Sequence, residues 1–148
     1  MELSPSLLSS LQKLSLFKDF SPSQLKSLFR LCQQEIYVPG DVLCKAGAES
    51  DKMYILLSGE VRILTSRKAP LGEETAVTTI GEVGMLTGES RSASVVAESP
   101  VMTLAIGRRP LLLLMQQDFS LALRLFRNVL VMVRQKLINA DQRIEEML

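Results

Sequence analysis

Histidine is absent from the 148 residues. Ser-His and Cys-His catalysis are thereby excluded, and the usual imidazole ligands of a zinc site are missing. The same absence argues against the metal-dependent cupin enzymes, whose ligands are mainly histidines. Cysteine is nearly absent. Cys32 and Cys44 are too few for a disulfide framework or a metal cluster and read as small, reduced core residues. No charge of one sign dominates: 17 Lys and Arg stand against 16 Asp and Glu, a net charge of +1. A nucleic-acid module carries a basic surplus, so no direct nucleic-acid contact is expected. Long apolar runs are also missing. Leu111 to Met115 and Val129 to Val133 fall far short of the ~20 residues that span a bilayer. The N-terminus lacks the basic start and apolar core of a signal peptide. The expectation is a cytoplasmic protein that does not enter a membrane, of a length suited to one domain with one real core.

What is present is an apolar chain, 47% hydrophobic, with clear punctuation. Ser4-Pro5 predicts a first helix with Leu7, Leu8, Leu11 and Leu14 as its apolar stripe. Ser21-Pro22-Ser23-Gln24 is a capping box, followed by Leu25, Leu28, Phe29 and Cys32 at helical spacing. From Gln34 the pattern turns to short strands: Glu35 to Val38, Val42 to Cys44, Met53 to Leu57 and Val61 to Leu64, separated by turns such as Pro39-Gly40-Asp41 and Ser58-Gly59. Ser66 to Thr75 reads as a polar exposed loop and Ala76 to Ile80 as a strand. Ser94 to Ala97 and Val101 to Ile106 read as two more. This is the cadence of a small antiparallel barrel or jelly roll. Pro110 opens a short helix, and Asp118 can cap a long one.

Residues 81 to 95 are the chemically distinctive stretch. Gly81, Gly84 and Gly88 allow close backbone approach, Glu82 offers a carboxylate, and Arg91 offers a guanidinium. An anion is held well by exposed backbone N–H groups and an Arg fork, and a sugar hydroxyl by a carboxylate, so a sugar phosphate meets both. No acid–base pair with a nucleophile or metal accompanies them, which points to binding and away from an enzyme.

These residues resemble the cyclic-nucleotide-binding domain family. Its phosphate-binding cassette reads roughly Gly-Glu-Leu-Ala-Leu, a variable piece, then Pro-Arg-Ala/Ser-Ala. Gly81-Glu82 and Arg91-Ser92-Ala93 match it at matching spacing, with Gly84 in place of the common Ala and Ser90 in place of the common Pro. Pro39-Gly40-Asp41, Tyr54-Ile55, Ser58-Gly59 and the Leu16 to Phe20 entry are similar too. The resemblance implies a mainly β fold with flanking helices (α+β): a double-stranded β-helix or jelly-roll barrel over 34–107, an N-terminal helical segment over 1–33, and C-terminal helices over 108–148. It implies cAMP or cGMP as ligand and no metal. Arg91, Ser92 and Ala93 would hold the cyclic phosphate, and Glu82 the ribose, with the backbone of Gly81, Val83 and Gly84 close by. Ile63, facing inward by alternation, would touch the base. The bacterial flavour of the resemblance leans toward cAMP, while Ser92 after the cassette Arg also fits cyclic-GMP-selective relatives.

From Phe119 the steps of four and three fall on Leu123, Phe126, Leu130, Val133, Leu137, Ala140, Ile144 and Met147, all apolar. A stripe to the end of the helix predicts a partner helix, most simply a homodimer through Phe119–Met147, with Leu121, Leu125, Val129 and Met132 packed on the barrel. Arg134, Gln135, Lys136 and Asn139 are polar candidates for a lid and read first as a solvated helix face. The helix resembles the dimer helix of bacterial catabolite-activator-like regulators, without the helix-turn-helix that follows it there. Three readings stay open: a cyclic-nucleotide sensor, a ligand-free dimerisation or interaction module of the same fold, and the sensory half of a transcription regulator cut before its DNA-binding domain.

Overall fold

Serine caps start both N-terminal helices. In the computed structural model, which describes residues 2–148, the Ser4 hydroxyl accepts the Leu7 N–H at 3.2 Å and opens α1 (Pro5–Gln12). At α2 (Pro22–Arg30), Gln24 N–H donates to the Ser21 hydroxyl at 3.1 Å and Ser21 N–H to the Gln24 side-chain carbonyl at 3.0 Å, completing the capping box. A 3-10 turn between them, Ser15–Phe17, buries Leu16 and Phe17, and Phe17 packs on Phe20. Cys32 departs from the helical spacing that includes it. The helix stops at Arg30, and Cys32 starts β1 (Cys32–Tyr37), where it pairs with Ile106.

The chain continues through β2 (Val42–Cys44), β3 (Lys52–Ser58), β4 (Glu60–Leu64), β5 (Pro70–Thr75) and β6 (Thr78–Ile80). Then come α3 (Glu82–Thr87), β7 (Ser94–Ala97), β8 (Val101–Gly107), α4 (Arg108–Gln117) and α5 (Phe119–Met147). The strands form two antiparallel sheets, ordered β1-β8-β3-β6 and β2-β7-β4-β5. This is the mainly β jelly roll with flanking helices. Further boundaries differ from the sequence reading, and α4 starts at Arg108, two residues before the expected Pro110. Residues 70–75, expected within a polar loop, form β5 by pairing with β4, Val61 opposite Glu74 and Ile63 opposite Gly72. An edge strand with one neighbour tolerates a polar sequence and a Pro at its first position. The strand expected over 76–80 shortens to Thr78–Ile80.

β3 and β8 lack polar alternation because both of their faces are covered. Met53, Ile55, Leu104 and Ile106 join Leu16, Phe17, Leu25, Leu121 and Leu125 in a core beneath the helices. Tyr54, Leu56 and Ala105, one step out of phase, join Val61, Ile80, Val95 and Val101 inside the barrel. The same sheet therefore separates the nucleus of helices from the barrel interior and ties them together.

Asp118 caps α5, its carboxylate accepting the Leu121 N–H at 3.0 Å. Leu121, Ala122, Leu125 and Val129 are buried against the core, with Met132 partly so. Asn128, also buried, donates from one amide nitrogen to the Leu16 and Lys18 carbonyls at 2.8 and 2.9 Å. The heptad stripe lies elsewhere on the helix. Phe119, Leu123, Phe126, Leu130, Leu137, Ile144 and Met147 are exposed, while Val133 is half-buried. Among the described residues, no helix is long and apolar enough to cross a membrane.

Candidate functional site

Gly81 sets the geometry of the site. It caps α3 in the left-handed region, φ +82°, and a Cβ built there would meet Arg91 Nη1 at 2.5 Å. Only glycine fits both the turn and the guanidinium lying on it. Arg91 comes from the loop before β7, which is pinned to the β2–β3 connection by Arg91 N–H to Ala48 O and Gly47 N–H to Arg91 O, each 2.8 Å. Its side chain is buried. Nη2 donates to the Lys52 carbonyl and lies 3.7 Å from Asp51 Oδ1. Nη1 is buried with no hydrogen-bond partner among the described residues. A buried guanidinium with one nitrogen satisfied and another open keeps donors that an anion can use.

Glu82, the first residue of α3, is only 5% exposed. Burial lifts its carboxyl above the ordinary range. Lys136 of α5, whose Nζ stands 3.9 Å from Glu82 Oε1, pulls the other way. Behind α3, Gly84 packs so closely on Ser50 that a Cβ would sit 2.3 Å from its Oγ. At the far end Arg108 Nε donates to the Met85 carbonyl at 2.9 Å, satisfying a free C=O of this short helix.

These elements surround a cavity of about 470 Å³, in the size range of small-ligand sites. Gly81, Glu82, Val83, Gly84, Arg91, Ser92 and Ala93 all line it, and Ile63 lines it from β4. Ser92 is exposed and Ala93 half-buried. All four polar α5 residues lie on a solvated face as expected, and Lys136, its side chain 69% exposed, also lines the cavity; Gln135 donates to Asn139 at 3.0 Å. Sequence reasoning missed Leu71 and Glu74 of β5, which also line the cavity, and the Arg108 clamp. No local signal marks them, since each depends on a long-range pairing. The Cys44 thiol lines the cavity too, and burial raises it. Burial pushes the Cys32 thiol up to about 12.

Comparison with known proteins bears on the fold and the family. The model of the cyclic nucleotide-binding domain matches residues 34–118, more than half of the chain. The mouse cyclic nucleotide-gated channel beta-3 is 32% identical over 109 residues, 68% of this chain but 15% of the channel's own length. Among solved structures, the N-terminal domain of a transcriptional regulator from Streptomyces coelicolor superposes with a TM-score of 0.76 at 24% identity, covering 86% of this chain and 94% of that one. The sensor domain of the transcriptional regulator DNR from Pseudomonas aeruginosa gives 0.73 at 25% identity, with 93% and 95% covered. With the family's model running from β1 through the cassette and α4 to the Asp118 cap, the chain belongs to the cyclic nucleotide-binding domain family.

Proposed function

We propose that this chain is a sensor that binds a 3′,5′-cyclic purine nucleotide, cAMP or cGMP, and transmits the bound state through α5 as one half of a homodimer. The observation that carries the reading is the buried, unpartnered Nη1 of Arg91 facing Gly81 in the cavity wall. Arg91 pairs with the cyclic phosphate, and the Ser92 and Ala93 backbone N–H groups with the Ser92 hydroxyl complete the grip. Glu82 accepts from the ribose hydroxyl, with Gly81, Val83 and Gly84 beside the sugar and Ile63 against the base. Functionally the chain divides into a helical segment over 1–33, the barrel over 34–107 and the output helices over 108–148.

Binding acts by population shift: a nucleotide that engages Glu82 changes what Lys136 faces, and α5 carries that bias outward. The exposed apolar stripe from Phe119 to Met147 supports a second copy as the surface that receives it. Calorimetric titration with cAMP and cGMP tests the reading. Arg91→Ala should weaken binding by about 1.5–3 kcal/mol, the worth of a charge-assisted hydrogen bond. Two observations favour a ligand-free module instead: Arg91 Nη2 is already engaged by Lys52 O, and Glu82 already faces a cation. No heat with either nucleotide, on a folded dimeric sample, would transfer the conclusion to that module.

A further inference from the structure

A carboxylate stands on the inward face of the barrel where an apolar residue is expected. Val61 is fully buried inside, and Glu74 is its direct partner across the β4–β5 ladder. Residues opposite one another in an antiparallel pair project to the same face. Glu74 therefore points inward with Val61, whereas Glu73, opposite Arg62, points out. Glu74 lines the cavity beside Ile63 and Leu71. Among the described residues it has no ion-pair partner: Arg62 goes to Glu98 and Lys136 to Glu82.

The charge balance sharpens the point. Three carboxylates, Glu74, Glu82 and Glu89, line the cavity against two cations, Arg91 and Lys136. An anionic ligand is poorly served by that balance unless the carboxylates meet donors on it. With the phosphate at Arg91 and the ribose at Glu82, the lining that β4 and β5 supply, Ile63, Leu71 and Glu74, is available to the base. Two of these are apolar and suit a purine face; the third only accepts hydrogen bonds when ionised.

We propose, resting on the nucleotide-binding reading above, that Glu74 is a specificity-determining residue that makes the site prefer cGMP over cAMP. Guanine presents two adjacent donors, N1–H and the 2-amino group, which a carboxylate accepts together. Adenine presents the N6 amino group beside a bare N1 lone pair, which the carboxylate repels, and it has no 2-amino group. Specificity then comes from a charge aimed against the wrong base as much as from a contact with the right one.

The test is competitive titration of the full chain with cGMP, cAMP and inosine 3′,5′-cyclic monophosphate, which keeps N1–H and lacks the 2-amino group. The expected order is cGMP, then the inosine nucleotide, then cAMP, with cGMP ahead of cAMP by about 5- to 150-fold, the range for a good bidentate base contact. Glu74→Gln, which keeps the shape and removes the charge, should cut that ratio at least about fivefold. Equal affinities, a preference for cAMP, or a ratio unchanged in Glu74→Gln would overturn the role of Glu74 while leaving nucleotide binding standing. Binding of none of the three by a folded sample would overturn both.

Discussion

Alanine at Gly81 should do more harm than alanine at Gly40, and the excess should fall on ligand binding. The two glycines share a left-handed backbone, φ +82° and +93°. An L-residue forced there costs about 1–2 kcal/mol at either position. Around Gly40 nothing lies within 4 Å of the added Cβ, so the cost ends there. At Gly81 the Cβ would stand 2.5 Å from Arg91 Nη1 and 3.6 Å from Lys52 O. The first distance is roughly 1 Å inside normal contact. Arg91 cannot simply withdraw, because Nη2 is bonded to Lys52 O and its backbone is bonded to Gly47 and Ala48. Relieving such overpacking costs about 1–3 kcal/mol more. Gly81→Ala should thus lose about 2–5 kcal/mol against about 1–2 for Gly40→Ala, or roughly 2–4 °C of melting temperature per kcal/mol. On the proposed reading, a displaced guanidinium also forfeits much of its phosphate contact, about tenfold or more in Kd. Urea midpoints and nucleotide titrations of the two variants decide it. Equal destabilisation, or wild-type affinity in Gly81→Ala, would refute the claim that this glycine exists to make room for Arg91.

Three further outcomes follow. Burial lifts the folded-state value of Glu82, so the folded chain holds that proton to higher pH than the unfolded chain does. Stability should fall as pH rises from the ordinary carboxylate range through the folded value. Glu82→Gln should remove that slope and raise the urea midpoint at neutral pH while weakening nucleotide binding; a midpoint difference that shrinks with rising pH would contradict it. Asn128→Leu keeps the volume but leaves the Leu16 and Lys18 carbonyls without their donor, a loss of about 2–4 kcal/mol by denaturant titration, whereas a near-neutral change would mean water replaces the amide. Leu130→Lys with Leu137→Lys, at positions 69% and 63% exposed, should leave the monomer's stability within about 0.5 kcal/mol and abolish the dimer in sedimentation velocity; a wild-type chain that sediments as a monomer would end the dimer reading.

Capping and turn chemistry was legible because it is local. Ser21 and Gln24 are three residues apart, Asp118 adjoins the helix it caps, and no distant contact is needed to read either. That the candidate residues would meet was legible for a related reason: all of them except Ile63 lie within the short stretch 81–95, so their lining one cavity needs little of the fold. What was hidden depends on register or crossing angle. β5 has a polar composition and becomes a strand only through β4, and Glu74 turns inward only because Val61 lies opposite it. Lys136 is as exposed as its helix turn suggests in sequence; only the path of α5 past the cassette brings its tip to 3.9 Å from Glu82. Cys32 was legible as apolar but not as strand, since Ile106 decides its state from the other end of the barrel.

The arrangement of α5 explains how a small site could govern a long helix. One side of it meets the cassette through Lys136 and Glu82, the 3-10 turn through Asn128, and α2 through Arg124, whose Nη1 donates to the Gln24 side-chain carbonyl at 2.6 Å. Gln24 in turn donates to Asp118, the cap of the same helix, at 3.4 Å. The cassette, the N-terminal helices and the start of α5 are therefore tied to one rod rather than to each other in series. On the proposed reading, the nucleotide biases the position of that rod at Glu82, and a second copy biases it along the stripe. Binding free energies couple reciprocally, so the factor by which nucleotide tightens the dimer must equal the factor by which the dimer tightens nucleotide. A chain held monomeric by lysines on the stripe, which touch no part of the cavity, should then bind nucleotide with altered affinity. Identical affinity in monomer and dimer would mean that α5 supports the site without reporting on it.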